Sequence, residues 1–181
     1  MKTRADTTAV EARVDDVFAT LGAAVHGYLR AAGAAESEDV LSEVFVRVAR
    51  GLGRFRGSDQ DLRRWVFTIA HNCLIDEHRR RSRHRLFMRT LPTAEPTAPG
   101  PDEPFDPTLH AALLHLTPDQ REVVTLRFVA DLPIEEVARI TGRRVSAVKS
   151  LQHRALRALS SALTTETELS GPLLSGPDAA K

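Results

Sequence analysis

Between Val137 and Ser160 the basic residues are Arg139, Arg143, Arg144, Lys149, Arg154 and Arg157, with no Asp or Glu among them. A run of one sign on a helix suits a polyanion, because cations laid along phosphates displace condensed counterions and bind in a salt-dependent way. The same stretch has a built-in turn. Ile134, Val137, Ala138 and Ile140 give a first helix an apolar side, and Thr141 and Gly142 follow where a left-handed cap belongs. Ser146 can cap a second helix in which Val148, Leu151, Ala155, Leu156 and Leu159 point inward. Lys149, Ser150, His153, Arg154 and Arg157 then look outward. Two helices joined so tightly form a helix-turn-helix, whose second helix, ~10–12 Å across, fits a DNA major groove about 12 Å wide. A packed helical hairpin with a solvated basic face is the alternative.

A second cationic run lies upstream: His78, Arg79, Arg80, Arg81, Arg83, His84, Arg85 and Arg89. Such density repels itself unless an anion lies against it, and phosphate backbone is the economical partner. A solvated helix end favoured by the dipole is the competing reading.

The elements that position these residues are helical. Val10, Val14, Val17, Leu21, Val25 and Tyr28 recur at three- and four-residue intervals, predicting a helix from past Thr8 to near Gly33. A second starts at Ser37 as N-cap, buries Leu41, Val44, Phe45 and Val48, turns Asp39, Ser42, Glu43 and Arg47 outward, and stops at Gly51. A third, Asp61 to Arg81, is capped by Ser58 or Asp59. Leu62, Val66, Ile69 and Cys73 line one of its sides, and Trp65, Thr68, Asn72 and Asp76 line an adjacent one that a plain core helix does not need.

Residues 91–107 carry six prolines, four acids (Glu95, Asp102, Glu103, Asp106) and no Lys or Arg, which predicts an extended, flexible acidic linker. A short helix follows around Leu109 to Leu116. Thr117, Pro118 and Gln120 then supply a capping box with proline in the first turn, for a helix to about Phe128 that buries Val123, Val124 and Phe128. The stretch after Leu163 is rich in Gly, Ser and Pro and reads as a disordered tail.

The fold class expected is all-α. The boundaries are a first domain over 8–90, a linker over 91–107, a second domain over 108–163 and a tail over 164–181. A net charge of +1 decides nothing, since the basic surface is local. Cys73 is the single cysteine, so no internal disulfide forms, and a reducing cytoplasm fits. His71 and Cys73, two apart on a helix, do not share a face for a metal. No metal, cofactor or catalytic set is expected. No apolar run approaches the ~20 residues of a membrane span.

Three segments together resemble a known family. ESEDVLSEVFVRVARGLGRFRG, LRRWVFTIAHNCLIDEHRRRSR and LTPDQREVVTLRFVADLPIEEVARITGRRVSAVKSLQHRALRAL resemble, in that order, the polymerase-binding, minus-10 and minus-35 segments of RNA polymerase sigma factors of the sigma-70 family, extracytoplasmic-function group. The resemblance implies a second domain of the sigma region 4, winged-helix-like type. It implies an alternative sigma factor, with no enzymatic activity, that binds core RNA polymerase, reads both promoter elements and promotes opening. Asp39, Ser42, Glu43 and Phe45 would meet the clamp helices of the largest subunit, and the second domain the flap of the second largest. Trp65, Thr68, Asn72, Asp76, Arg79, Arg80, Arg81 and Arg83 would contact minus-10 DNA, with Asn72 near the pocket for an unstacked base. Arg143, Arg144, Ser146, Lys149, Ser150, His153, Arg154 and Arg157 would contact the minus-35 element. An inhibitory anti-sigma factor is a further partner implied. The chain departs from the usual pattern at Ser42, often Gln, at Pro133, usually a Ser cap, and at Leu151 and Gln152, where a basic and an apolar residue are common. A stand-alone helix-turn-helix regulator is the alternative function; it accounts for Leu132 to Leu159 but not for the Trp65 to Arg85 helix or the acidic linker.

Overall fold

Periodicity of three and four residues governs the chain, and the described residues contain helices and turns without strands. The computed structural model describes residues 4–87 and 107–169, with side chains over 12–84 and 108–164. The proline-rich acidic linker and the last part of the tail lie outside the described residues. The first half holds α1 (Arg4–Ala31), α2 (Ser37–Leu52) and α3 (Asp59–Phe87). The second holds α4 (Pro107–Leu114), α5 (Pro118–Val124), a π-helical turn (Thr125–Val129), α6 (Ile134–Thr141) and α7 (Val145–Leu169).

Several predicted boundaries move. α1 begins at Arg4, ahead of the frayed start expected up to Thr8. Ser37 is already helical and Glu36 holds the N-cap position without a side-chain bond. The Ser37 hydroxyl lies instead 3.1 Å from His26 Nε2 on α1, tying the two helices together. Gly51 does not stop α2, which continues to Leu52. Its missing side chain serves packing: a Cβ there would lie 2.6 Å from the Trp65 ring. α3 starts at the predicted cap. Ser58 N and Oγ donate to Asp61 Oδ2 at 3.0 and 2.7 Å, and Asp61 N donates back to Ser58 Oγ at 3.3 Å. The helix runs on to Phe87 rather than ending at Arg81.

In the second half the Thr117 capping box forms as expected, with Gln120 N donating to Thr117 Oγ1 and Thr117 N to Gln120 Oε1 at 3.1 Å. The helix it opens is not regular to Phe128. Ala130 N bonds Thr125 O five residues back, so one extra residue occupies the last turn. That extra residue rotates Phe128 outward to 51% exposure, contrary to its expected burial. Gly142 takes φ +66° at the end of α6, as the turn requires. Pro133 occupies the N-cap position with extended backbone, and α6 forms behind it. α7 begins at Val145, with Ala147 and Val148 N–H bonding Arg144 O, so Ser146 lies inside the first turn and is not the cap. Leu151 is buried as expected, whereas Leu156 is 42% exposed. α7 continues to Leu169, six residues into the expected tail.

The two halves are in contact. Val25, Tyr28 and Leu29 of α1, Val44, Val48 and Leu52 of α2, and Val66, Phe67 and Ala70 of α3 form one apolar cluster. Val123, Leu126, Leu132, Val137 and Val148 of the second half belong to it too. A second cluster, of Ala112, Leu113, Leu116, Val124, Ala155 and Leu159, takes in Ala31 of α1. Burying these side chains at ~25 cal/mol per Å² of apolar surface is the main force holding the halves together.

Candidate nucleic-acid interface

Burial of Val148, Leu151, Ala155 and Leu159 fixes the register of α7. With that side inward, Ser146, Lys149, Ser150, His153, Arg154 and Arg157 are all exposed, as is Arg144 in the turn before them. Ser150 Oγ donates to Ser146 O at 3.0 Å and Arg154 Nε to Ser150 O at 3.3 Å, which lays the guanidinium along the helix. Arg143 is different. It reaches Asp119 Oδ1 at 2.7 Å and Glu122 Oε2 at 3.4 Å, so it clamps α5 to the start of α7.

On α3, Trp65 stacks on Phe55 with centroids 5.2 Å apart and planes 28° apart. Thr68 is half-buried and gives its hydroxyl proton to Arg64 O, while Asn72 and Arg79, Arg80, Arg81 and Arg83 are exposed. Asp76 is taken by Arg47, whose two terminal nitrogens lie 3.3 Å from Asp76 Oδ2 and whose Nε lies 2.7 Å from Glu43 Oε1. Arg47, pushed upward from its ordinary pKa first by its bond to Glu43, therefore joins two residues that the sequence placed in different sites. An open groove of about 950 Å³ beside it is lined by Arg47, Asp76, His78, Arg79, Arg80 and Arg83. On α2, Asp39 and Ser42 are exposed and Glu43 half-exposed. Phe45 is buried, edge-on to Phe18 with centroids 4.8 Å apart, so it lies beneath the exposed residues of α2 rather than among them.

A second pocket, of about 590 Å³, combines Phe55, Arg56, Asp61, Arg64, Trp65 and Thr68 with Glu136, Arg139 and Ile140 of α6. Phe55, Arg56, Asp61 and Arg64 were not among the predicted site residues. The Ser58 to Asp61 spacing, a capping-box pattern, was the available signal. Arg56 donates to Phe55 O at 2.7 Å and Gly53 O at 3.2 Å, which curls the loop under the Trp65 ring.

Polar contacts cross between the halves. Arg63 Nε donates to Ala130 O at 2.8 Å, Arg64 Nη1 to Glu136 Oε1 at 2.9 Å, and His71 Nε2 lies 3.6 Å from Glu122 Oε1. Burial keeps the Tyr28 phenol protonated, and its oxygen lies 3.3 Å from His71 Nδ1. Phenol donating to Nδ1 leaves the ring proton on Nε2, facing Glu122. Cys73, its thiol pushed up to about 11 by burial, is unreactive packing.

Burial, with a smaller contribution from His78, lowers the His71 pKa below 6.5. The unfolded chain then binds more protons than the folded one as pH falls through about 6.5 toward the folded value, so stability is full above that window and lost below it. Burial raises the Glu122 pKa and gives the opposite sign, but Glu122 stays unchanged in a His71→Gln variant. We expect the wild-type chain to lose more stability than His71→Gln between about pH 7 and about pH 5.5. Urea unfolding at both values measures it; equal losses would show that His71 is not the titrating group.

Among the described residues no helix is long and apolar enough to cross a membrane, and no group of His, Cys, Asp or Glu is placed to hold a metal ion.

Residues 17–84 match the family model for Sigma-70 region 2, and residues 108–159 the model for Sigma-70, region 4. The ECF RNA polymerase sigma factor BldN of Streptomyces coelicolor is 40% identical over 139 residues, which cover 73% of this chain and 52% of that protein. The chain thus spans about half the length of that relative. It covers more of two others: the RNA polymerase sigma factor CarQ of Myxococcus xanthus, 31% identical over 80% of this chain and 86% of that protein, and the RNA polymerase sigma factor YlaC of Bacillus subtilis, 30% identical over 73% and 80%. Among solved structures, the sigma factor RpoE of Bartonella quintana, in complex with the anti-sigma factor NepR, has a TM-score of 0.70 at 23% identity, over 84% of this chain and 96% of that one. CnrH in complex with the cytosolic domain of CnrY has a TM-score of 0.62, also at 23% identity, over 89% and 94%. At that identity the likeness is one of fold.

Proposed function

This chain belongs to the extracytoplasmic-function group of the sigma-70 family of RNA polymerase sigma factors, and from that premise we propose that it is an alternative sigma factor. It binds core RNA polymerase, reads the minus-10 and minus-35 promoter elements and promotes open-complex formation, without catalytic chemistry of its own. The observation that carries this reading is a pair of exposed cationic faces on one chain, α3 and α7, with an aromatic-walled pocket nearer the start of α3.

In this reading α7 enters the major groove of the minus-35 element with Lys149, Ser150, His153 and Arg154 foremost. Arg79, Arg80, Arg81 and Arg83 follow the phosphates at minus-10. Asn72 hydrogen-bonds an unstacked base, offsetting the few kcal/mol that flipping costs. Asp39, Ser42 and Glu43 dock on the clamp helices of the largest polymerase subunit, and the second half engages the flap of the next. Core polymerase places the protein in the cytoplasm. An anti-sigma factor, like the one bound to RpoE, is proposed as an antagonist. A stand-alone helix-turn-helix regulator leaves the region 2 half without a task.

Run-off transcription with core polymerase and a promoter library tests the proposal. Specific initiation should require the protein, and its absence, with no retention on core polymerase, would sink the reading. In the same assay Asn72→Ala should cut open-complex formation by roughly tenfold or more, equivalent to about 1–3 kcal/mol of base recognition, with core binding unchanged. Permanganate reactivity of unpaired thymines reports it; undiminished melting would remove Asn72 from base recognition.

A further inference from the structure

We infer that Arg64 is a DNA-phosphate contact of the minus-10 pocket and that Glu136, from the first helix of the helix-turn-helix, occupies its donors in the free protein. The inference rests on the promoter-reading function above.

Arg64 stands on α3 at the rim of the pocket walled by Trp65 and Phe55. An aromatic wall takes a base face, and a guanidinium beside it takes the adjoining phosphate through two parallel N–H bonds. Both arms of that fork are in use. Arg64 Nη2 is held by Asp61, and Nη1 donates to Glu136 Oε1 at 2.9 Å. Glu136 is only 8% exposed and also accepts from Arg139, so one carboxylate neutralises two guanidiniums facing the same pocket. Glu136 is an acid where DNA would present one, and a phosphate oxygen must displace it to reach Nη1. Asp61, in contrast, stands in the first turn of α3 itself, bonded to Ser58, and stays with Arg64 when α6 leaves.

The carboxylate reaches this place because the second half is seated on α3. Arg63 holds the carbonyl of Ala130, and Val137, one residue after Glu136, is fully buried in the shared core. Glu136, Arg139 and Ile140 of α6 stand in the pocket itself, with Glu136 accepting from Arg139 on its own helix. Release of Arg64 therefore accompanies departure of α6 from α3. A strand in the pocket and the docked second half exclude each other. The outward face of α7 and the acids of α2 stay exposed in the docked arrangement, so the exclusion falls on the minus-10 pocket alone.

The test uses the full chain and a fluorescent single-stranded DNA pool of random sequence at fixed salt. Glu136→Gln keeps the shape and removes the charge, and should bind the pool roughly fivefold to tenfold tighter than wild type. Adding Arg64→Gln should abolish the gain, because the gain acts through Arg64. An unchanged affinity in Glu136→Gln, or a gain that survives loss of Arg64, overturns the inference. Spin labels at the exposed positions 38 and 135 give a second readout: the wild-type distance should change on adding the DNA, and a constant distance overturns it too. Duplex minus-35 binding and helical content of Glu136→Gln should match wild type, which separates the charge effect from misfolding. If wild type initiates transcription with core polymerase while these variants behave identically, the inference falls and the sigma-factor reading stands.

Discussion

Replacing Lys149 and Arg154 together by alanine is expected to weaken binding to minus-35 duplex by about tenfold to several hundredfold and to lower the salt slope by about 2. Both side chains are exposed on the outward side of α7, and neither supports the core beneath, where Val148, Leu151 and Ala155 pack. The loss should therefore appear in DNA affinity with no change in unfolding midpoint. Each cation removed releases about one counterion fewer, and removal of a hydrogen bond to a base edge costs about 1–3 kcal/mol more. Titrations at several salt concentrations separate the two contributions. A slope that does not move would put the DNA on another side of α7.

Phe67→Ala should be the most damaging single truncation of the junction, at about 3–5 kcal/mol. The ring is fully buried on α3, edge-on to Tyr28 with centroids 5.7 Å apart, and the Arg63 guanidinium lies 5.2 Å above it. Arg63 in turn holds Ala130 O. Losing the ring thus opens a cavity in the first half and loosens the grip on the second. Against a total stability of about 5–15 kcal/mol, that is a large fraction. Urea denaturation should show a lower midpoint, and a loss below about 1 kcal/mol would show that the ring does not brace the junction.

The helices were legible because their apolar residues recur on one side, and their ends were legible where a cap demands a residue type, as the side chain of Thr117 does at a start and the left-handed Gly142 at a stop. Ser37 and Gly51 misled for a common reason. Each serves a partner on another helix, His26 and Trp65, rather than the end of its own. Phe45 was read both as core and as docking surface, and its burial against Phe18 accords with the first. Of the candidate site, the outward side of α7 followed from hydrophobic spacing alone. The Arg64 to Glu136 contact did not, since its partners lie 72 residues apart and each has an ordinary local reading, one as a helix cation and the other as a first-turn acid. The pairing of Arg143 with Asp119 and Glu122 was equally hidden, since it spans more than twenty residues.

The π-helical turn at Thr125–Val129 gives the chain a way to evolve by length. It carries one residue more than an α-helical turn. A deletion there would be inherited as a rotation of about 100° and a shift of ~1.5 Å for everything downstream. Such a change would turn α6 off α3 and would equally turn α7 off α5, where Arg143 meets Asp119 and Glu122. The extra residue in this turn thus sets the phase at which both α6 and α7 meet the helices before it, and its loss would be felt at both contacts at once.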